Sequence, residues 1–169
     1  MYAGHAALAL FAKAKRPRVP LALLVPVAFA PDWIEWIFSA FGHRNQQISH
    51  SLISVGIGAP LVALIYGATQ RDWSGALAVW LTYASHWAAD FLTGRKPTWP
   101  NGPMVGLYLY TKPAVDATIE FAVIAVCWFV YRQSLPRESR QRMVGWLIPV
   151  GLVAMHIAFL AATNPDLRP

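Results

Sequence analysis

The segment Tyr83-Ala84-Ser85-His86-Trp87-Ala88-Ala89-Asp90-Phe91-Leu92-Thr93-Gly94 is apolar along most of its length, yet it carries an imidazole and a carboxylate. A helix turns ~100° per residue, so His86 and Asp90, four apart, share one face within ~6 Å of each other. Ionisable groups inside an apolar helix are costly and are functional candidates by default, and a bound cation offsets the cost of holding two together. No Lys or Arg in the same run offers a partner. The pair reads as part of a metal site whose other ligands must come from elsewhere in the chain.

The composition makes this a membrane helix. Of 169 residues, 56% are hydrophobic and 13% charged, against about 25% charged in soluble domains, and the mean hydropathy is +0.40. The net charge of +6 gathers in short segments beside apolar runs, the pattern of cytoplasmic membrane flanks, so no nucleic-acid partner is expected. Cys127 is the single cysteine, which excludes an intrachain disulfide and a thiolate cluster and leaves nitrogen and oxygen to hold any metal. The basic group Lys13, Lys15, Arg16 and Arg18 follows the first apolar run instead of preceding it, so residue 1 onward is expected to be mature protein.

Residues 2–12 would cover only ~16 Å as a helix, about half a bilayer core, and predict a half-helix or a buried helix. Residues 19–41 are long enough to span, with Pro20, Pro26 and Pro31 expected to break or bend the helix and free backbone carbonyls. Residues 49–69, 73–94, 113–131 and 143–163 give four further spans. The expectation is an all-α integral membrane bundle of about five transmembrane helices plus a short N-terminal helix. It forms one domain over 1–169, with the metal-site core in 1–131 and an additional C-terminal helix at 143–163. The Pro-rich stretch 95–112 is expected to be a loop, its apolar piece 104–110 at the interface and the loop acting as a gate. Nine Lys and Arg residues fall on one side of this topology and five on the other, so the richer side is expected in the cytoplasm of an inner-membrane, multi-pass protein.

In that topology His50, His86, Asp90, Asp116 and Glu120 fall in the outer half of the membrane. Asp32 lies past the midplane toward the same side, and His5 comes near the midplane. Imidazoles and carboxylates converging from separate helices are the ligand set of zinc or manganese, as one ion or two. Asp116 and Glu120 repeat the spacing of four, and facing pairs of this kind build metal sites in bundle cores. Simpler readings compete. Asp116 and Glu120 suit solvated carboxylates at a helix N-terminus, Ser49-His50-Ser51 suits a capping cluster, and Asp32 after Pro31 suits a cap. His156 reads as a hydrogen-bonded core residue, Glu35 with Arg44 as a rim ion pair, and Trp33, Trp36, Trp73, Trp99, Trp128, Tyr131 and Trp146 as interfacial belts.

The order Gly4-His5, Pro31-Asp32, His43-Arg44, Ser49-His50-Ser51, Ser85-His86 with Asp90, Thr93-Gly94 and Trp99-Pro100 resembles the YdjM-like membrane-bound metal-dependent hydrolases over roughly residues 4–131. That family is considered a relative of the zinc-dependent phospholipase C and P1 nuclease group. The resemblance implies ligand roles for His5, Asp32, His50, His86 and Asp90, and for Asp116 and Glu120 as a second helical pair. Two positions depart from the family: Ile34 stands where a second Asp is usual, with Glu35 one place on, and Asn45 stands where a glycine is expected.

Together these readings predict hydrolysis of a phosphoester in a membrane lipid or lipid-linked substrate by metal-activated water. His50, His86, Asp90 and Asp32 would hold the first ion, and His5, Asp116 and Glu120 the second, with one carboxylate left as general base. Arg44 would hold a phosphate oxygen, and Arg95 and Lys96 would attract the headgroup. The alternatives are a cation-binding transporter and an assembly protein with a structural metal. The sequence leaves the oligomeric state open.

Overall fold

Proline placement decides where the first long apolar run bends. The computed structural model describes residues 1–43, 47–141 and 144–163. Pro20 precedes α2 (Leu21–Ala28), Pro26 lies inside it, and Pro31 stands in the first turn of α3 (Ala30–Ala40). The two helices meet at Phe29 with a bend of 53°. A proline cannot continue the ladder of helical hydrogen bonds, so the break falls where the sequence puts it.

The short first helix α1 (Ala3–Lys15) occupies the middle of the bundle. Ala3, Gly4, His5, Ala6, Ala7, Ala9 and Leu10 are buried, because small side chains let neighbouring helices approach closely. α2, α5 (Trp73–Thr93), α6 (Pro113–Ser134) and α8 (Val144–Thr163) all contact it. α1 is the element around which the others are arranged.

α4 (Leu52–Gln70) packs along α5. Ser51 caps α4 by accepting from Ser54 N, and Asp72 caps α5 by accepting from Gly75 N. The Gly75 N–H and the Ser74 hydroxyl together hold the Asp72 carboxyl below the usual carboxylate range. Close approach of the two helices depends on Gly58, where an added Cβ would lie 2.6 Å from the Tyr83 hydroxyl oxygen. Gly58→Ala is expected to destabilise by about 1–3 kcal/mol from overpacking, whereas Gly56→Ala, whose Cβ would meet nothing within 4 Å, should be neutral or stabilising by up to about 1 kcal/mol. Thermal unfolding of the two variants in detergent separates these outcomes.

The all-α reading holds: the described residues form eight α-helices, the last two being α7 (Arg137–Gln141) and α8. The stretch expected as an irregular loop contains a two-residue hairpin, β1 (Lys96–Pro97) against β2 (Met104–Val105), and a 3₁₀ turn at Leu109–Thr111. This segment is tied down at several points. Ile53 N donates to Thr98 O at 3.1 Å, Leu107 N to Phe91 O at 2.8 Å and Tyr108 N to Gly94 O at 3.1 Å.

Among the described residues three helices are long and apolar enough to cross a membrane, Leu52–Gln70, Pro113–Ser134 and Gly145–Ala162, and a fourth span results if the bent pair α2–α3 counts as one. α5 has the length, at 21 residues, but falls short in apolarity. Thr82, His86 and Asp90 are buried on its inner face. Ile57, Leu61, Leu64 and Ile65 of α4 are instead more than half exposed. Apolar side chains outward and polar side chains inward is the arrangement of a membrane protein.

Candidate metal centre

α1 brings His5 to one end of the bundle and Lys13 and Lys15 to the other. The end marked by His5 is where the polar side chains meet. α5 supplies His86 and Asp90, α3 supplies Asp32, and the segment before α4 supplies His50. The ligand atoms of His5, Asp32 and His86 lie within 4.8 Å of one another, as do those of His50, His86 and Asp90.

The break between α2 and α3 sets the state of His86. The Ala28 carbonyl, at the end of α2, lies 2.8 Å from His86 Nδ1. A carbonyl only accepts, so Nδ1 carries the hydrogen and Nε2 turns its lone pair into the site, with no hydrogen-bond partner of its own. The Ala28 carbonyl at the bend between the two helices thus fixes a tautomer.

His50 is oriented in the same way by its neighbour. The Ser49 hydroxyl stands 2.7 Å from Pro31 O and 2.8 Å from Glu35 Oε2, and its single hydrogen goes to one of these acceptors. Toward His50 Nδ1, 3.1 Å away, the same oxygen accepts. His50 Nε2 then faces Asp32 Oδ1 at 3.0 Å and Asp90 Oδ2 at 3.7 Å. His86 Nε2 faces Asp90 Oδ2 at 3.3 Å and Asp32 Oδ1 at 3.6 Å. Nitrogen lone pairs turned on carboxylate oxygens at these distances repel, and positive charge between them, as a proton or a metal ion, removes the conflict.

His5 completes the cluster, with Nε2 3.2 Å from Asp90 Oδ1 and its ring stacked on His86 at 3.9 Å between centroids. The His5, His50, His86 and Asp90 side chains are buried, while that of Asp32 is 43% exposed and forms the open side. Two cations adjoin Asp90: Lys96 Nζ at 2.9 Å from Oδ2, and the Met1 amine at 3.0 Å from Oδ1. That amine also contacts the Thr93 hydroxyl and the Tyr110 phenolic oxygen. Burial pushes the Tyr110 phenol well up from its ordinary value.

Five of the expected ligands therefore come together. Asp116 and Glu120 do not join them. Glu120 Oε1 accepts from Tyr2 N at 3.0 Å and Gly4 N at 2.7 Å. It caps the first turn of α1, which has no capping side chain of its own. Asp116 is fully buried with neither carboxyl oxygen hydrogen-bonded. His156 Nδ1 lies 3.6 Å from Glu120 Oε1, but Asp116, Glu120 and His156 do not converge as a third ligand group among the described residues. Arg44 lies outside the described residues. Glu35 does not displace a ligand; Ser49 N donates to its Oε2 at 3.1 Å, the Ser49 hydroxyl lies 2.8 Å from the same oxygen, and Glu35 so steadies the segment that carries His50. Lys96, expected at the headgroup, reaches inward to Asp90, and Arg95 lies 4.9 Å over the Tyr108 ring.

Ser49→Ala removes the acceptor that orients His50. It is expected to weaken divalent-metal affinity about 10–100-fold with little change in helicity, the usual effect of losing a partner behind a ligating histidine. Competition titration with a chromogenic zinc chelator measures it.

Compared with protein-family models, curated proteins and solved structures, the chain finds no match.

Proposed function

We propose that the chain is a membrane-bound metal-dependent hydrolase of the YdjM-like kind, acting on a phosphoester of a lipid or lipid-linked substrate. One observation carries the reading. Two imidazoles have their Nδ1 hydrogens committed away from the site, and their Nε2 atoms face the carboxylates of Asp32 and Asp90. His5, Asp32, His50, His86 and Asp90 would hold the ion, and this all-nitrogen-and-oxygen set suits zinc first and manganese second. A bound divalent ion supplies Lewis acidity and lowers the pKa of water toward neutrality.

The remaining groups have work of their own. Asp32 marks the exposed side from which a headgroup reaches the site. Lys96, 18% exposed beside Asp90, is placed to donate to a phosphate oxygen. The three buried imidazoles limit entry of bulk water. Asp116 and Glu120 serve the placement of α1 in this reading, and the centre takes a single ion. In the same reading five helices span the cytoplasmic membrane, with α5 the inner fifth, the basic helix ends inside and the site toward the outer half.

The test is release of diacylglycerol or phosphate from mixed phospholipids by the purified chain after chelation and after zinc is restored. Release that vanishes with chelation and returns with zinc supports the hydrolase; no release in either state contradicts it. A second reading, a metal-free polar site used in assembly, is favoured by the Lys96–Asp90 contact, because Lys96 brings positive charge itself. Metal content of the purified protein decides between them: about one ion per chain for the first, none for the second.

A further inference from the structure

At the basic end of the bundle, away from the proposed metal centre, α1 and α5 leave a groove of ≈ 490 Å³ between them. Its walls are apolar. Phe11, Leu77 and Leu81 line it and are 38%, 51% and 52% exposed. Its two interior hydroxyls are already used within α5: Thr82 Oγ1 donates to Ala78 O at 2.7 Å and Ser85 Oγ to Thr82 O at 2.8 Å. The floor therefore offers methyl and methylene surface with no unmet hydrogen bond.

The mouth has the opposite character. Lys15 and Arg16, both exposed, line it together with Ser74. Lys15 Nζ lies 5.4 Å over the Phe11 ring, and Arg16 spends only its Nε, on Ser74 O at 3.3 Å. Neither has a carboxylate partner among the described residues. The nearby acid Asp72 is engaged in capping α5. Lys13 is likewise occupied, donating to the Pro17 and Val19 carbonyls. Two unpaired cations thus stand at the end of an apolar channel on the outer surface of the bundle.

We propose that this groove is a binding site for one anionic phospholipid, its acyl chain along α1 and α5 and its phosphate between Lys15 Nζ and the free guanidinium nitrogens of Arg16. Charge complementarity selects this occupant. A basic pocket between membrane helices takes an anionic headgroup, and an arginine with its terminal nitrogens free matches a phosphate fork. A zwitterionic lipid fits the channel but leaves the net positive charge of the mouth unmet. The site is independent of the proposed chemistry at the opposite end.

The experiment is native mass spectrometry of the full chain in neutral detergent with phosphatidylglycerol or phosphatidylcholine of identical acyl chains. Phosphatidylglycerol should bind about 25-fold tighter, about fivefold for each basic side chain. The double variant Lys15→Gln, Arg16→Gln should abolish that preference and keep the weak binding of phosphatidylcholine. Leu81→Trp, at a half-exposed position in the channel wall, should reduce binding of both lipids. Equal binding of the two lipids by the unaltered chain would overturn the proposal, as would a preference that survives the double variant. A second copy filling the groove would also overturn it, seen as a dimer that Leu81→Trp dissociates without change in lipid binding.

Discussion

His86→Asn is expected to strip the bound metal, lowering affinity by at least about 100-fold, and to abolish hydrolysis while leaving the fold in place. The asparagine amide nitrogen can stand near the position of Nδ1 and continue to donate to the Ala28 carbonyl, 2.8 Å from the ring in the native chain. What it lacks is anything in place of Nε2, which belongs to both ligand groups. His86→Ala removes both functions, leaves the Ala28 carbonyl without its donor and should also cost stability, about 1–3 kcal/mol for a buried unsatisfied group. Metal content by mass spectrometry, lipid hydrolysis and thermal unfolding of the two variants separate ligation from support. Asparagine retaining metal and full activity would show that His86 is part of the framework only.

The second large effect is expected at Glu120, and it concerns the fold. Its Oε1 accepts two backbone N–H groups at the start of α1, in a position that is fully buried. Glu120→Ala leaves both donors without a partner and should destabilise by about 2–6 kcal/mol, at about 1–3 kcal/mol for each. Because α1 carries His5, the same change should loosen metal binding indirectly. Glu120→Gln keeps an acceptor oxygen in place and should restore most of the stability together with the metal. If Glu120 were a ligand to a second ion, Gln would lose one ion per chain while the fold stayed intact. Denaturation and metal counting on the same samples distinguish these outcomes.

These two residues also show what could be read from the chain before its structure. The His86–Asp90 spacing, the proline break and the placing of His50 in the outer half, Asp32 past the midplane and His5 near it are properties of single helices and of where they cross. Hydrophobic pattern and charge report those directly. The target of Glu120 is a pair of backbone N–H groups 118 and 116 residues away. No side chain at the target marks it, so the carboxylate read as a ligand.

Ser49 was legible as part of a capping cluster and Glu35 as a rim acid, but their joint action on His50 depends on α3 meeting the segment before α4. The central place of α1 was hidden for a similar reason. An Ala-rich run too short to span reads equally as a half-helix inserted part-way or as a buried helix, and only the packing shows it enclosed by four helices. α5 was read as one of five spans, with His86 and Asp90 on it. Its polar inner face, turned away from lipid, is what lowers its apolarity below that of its neighbours.

The central claim is that acid and imidazole groups from separate helices share one divalent ion. X-ray absorption at the zinc edge of the zinc-loaded chain addresses it directly. The account predicts only nitrogen and oxygen neighbours at about 2.0–2.1 Å, with outer scattering from at least two imidazole rings. Zinc that washes off on gel filtration, or a spectrum without imidazole scattering, would contradict it.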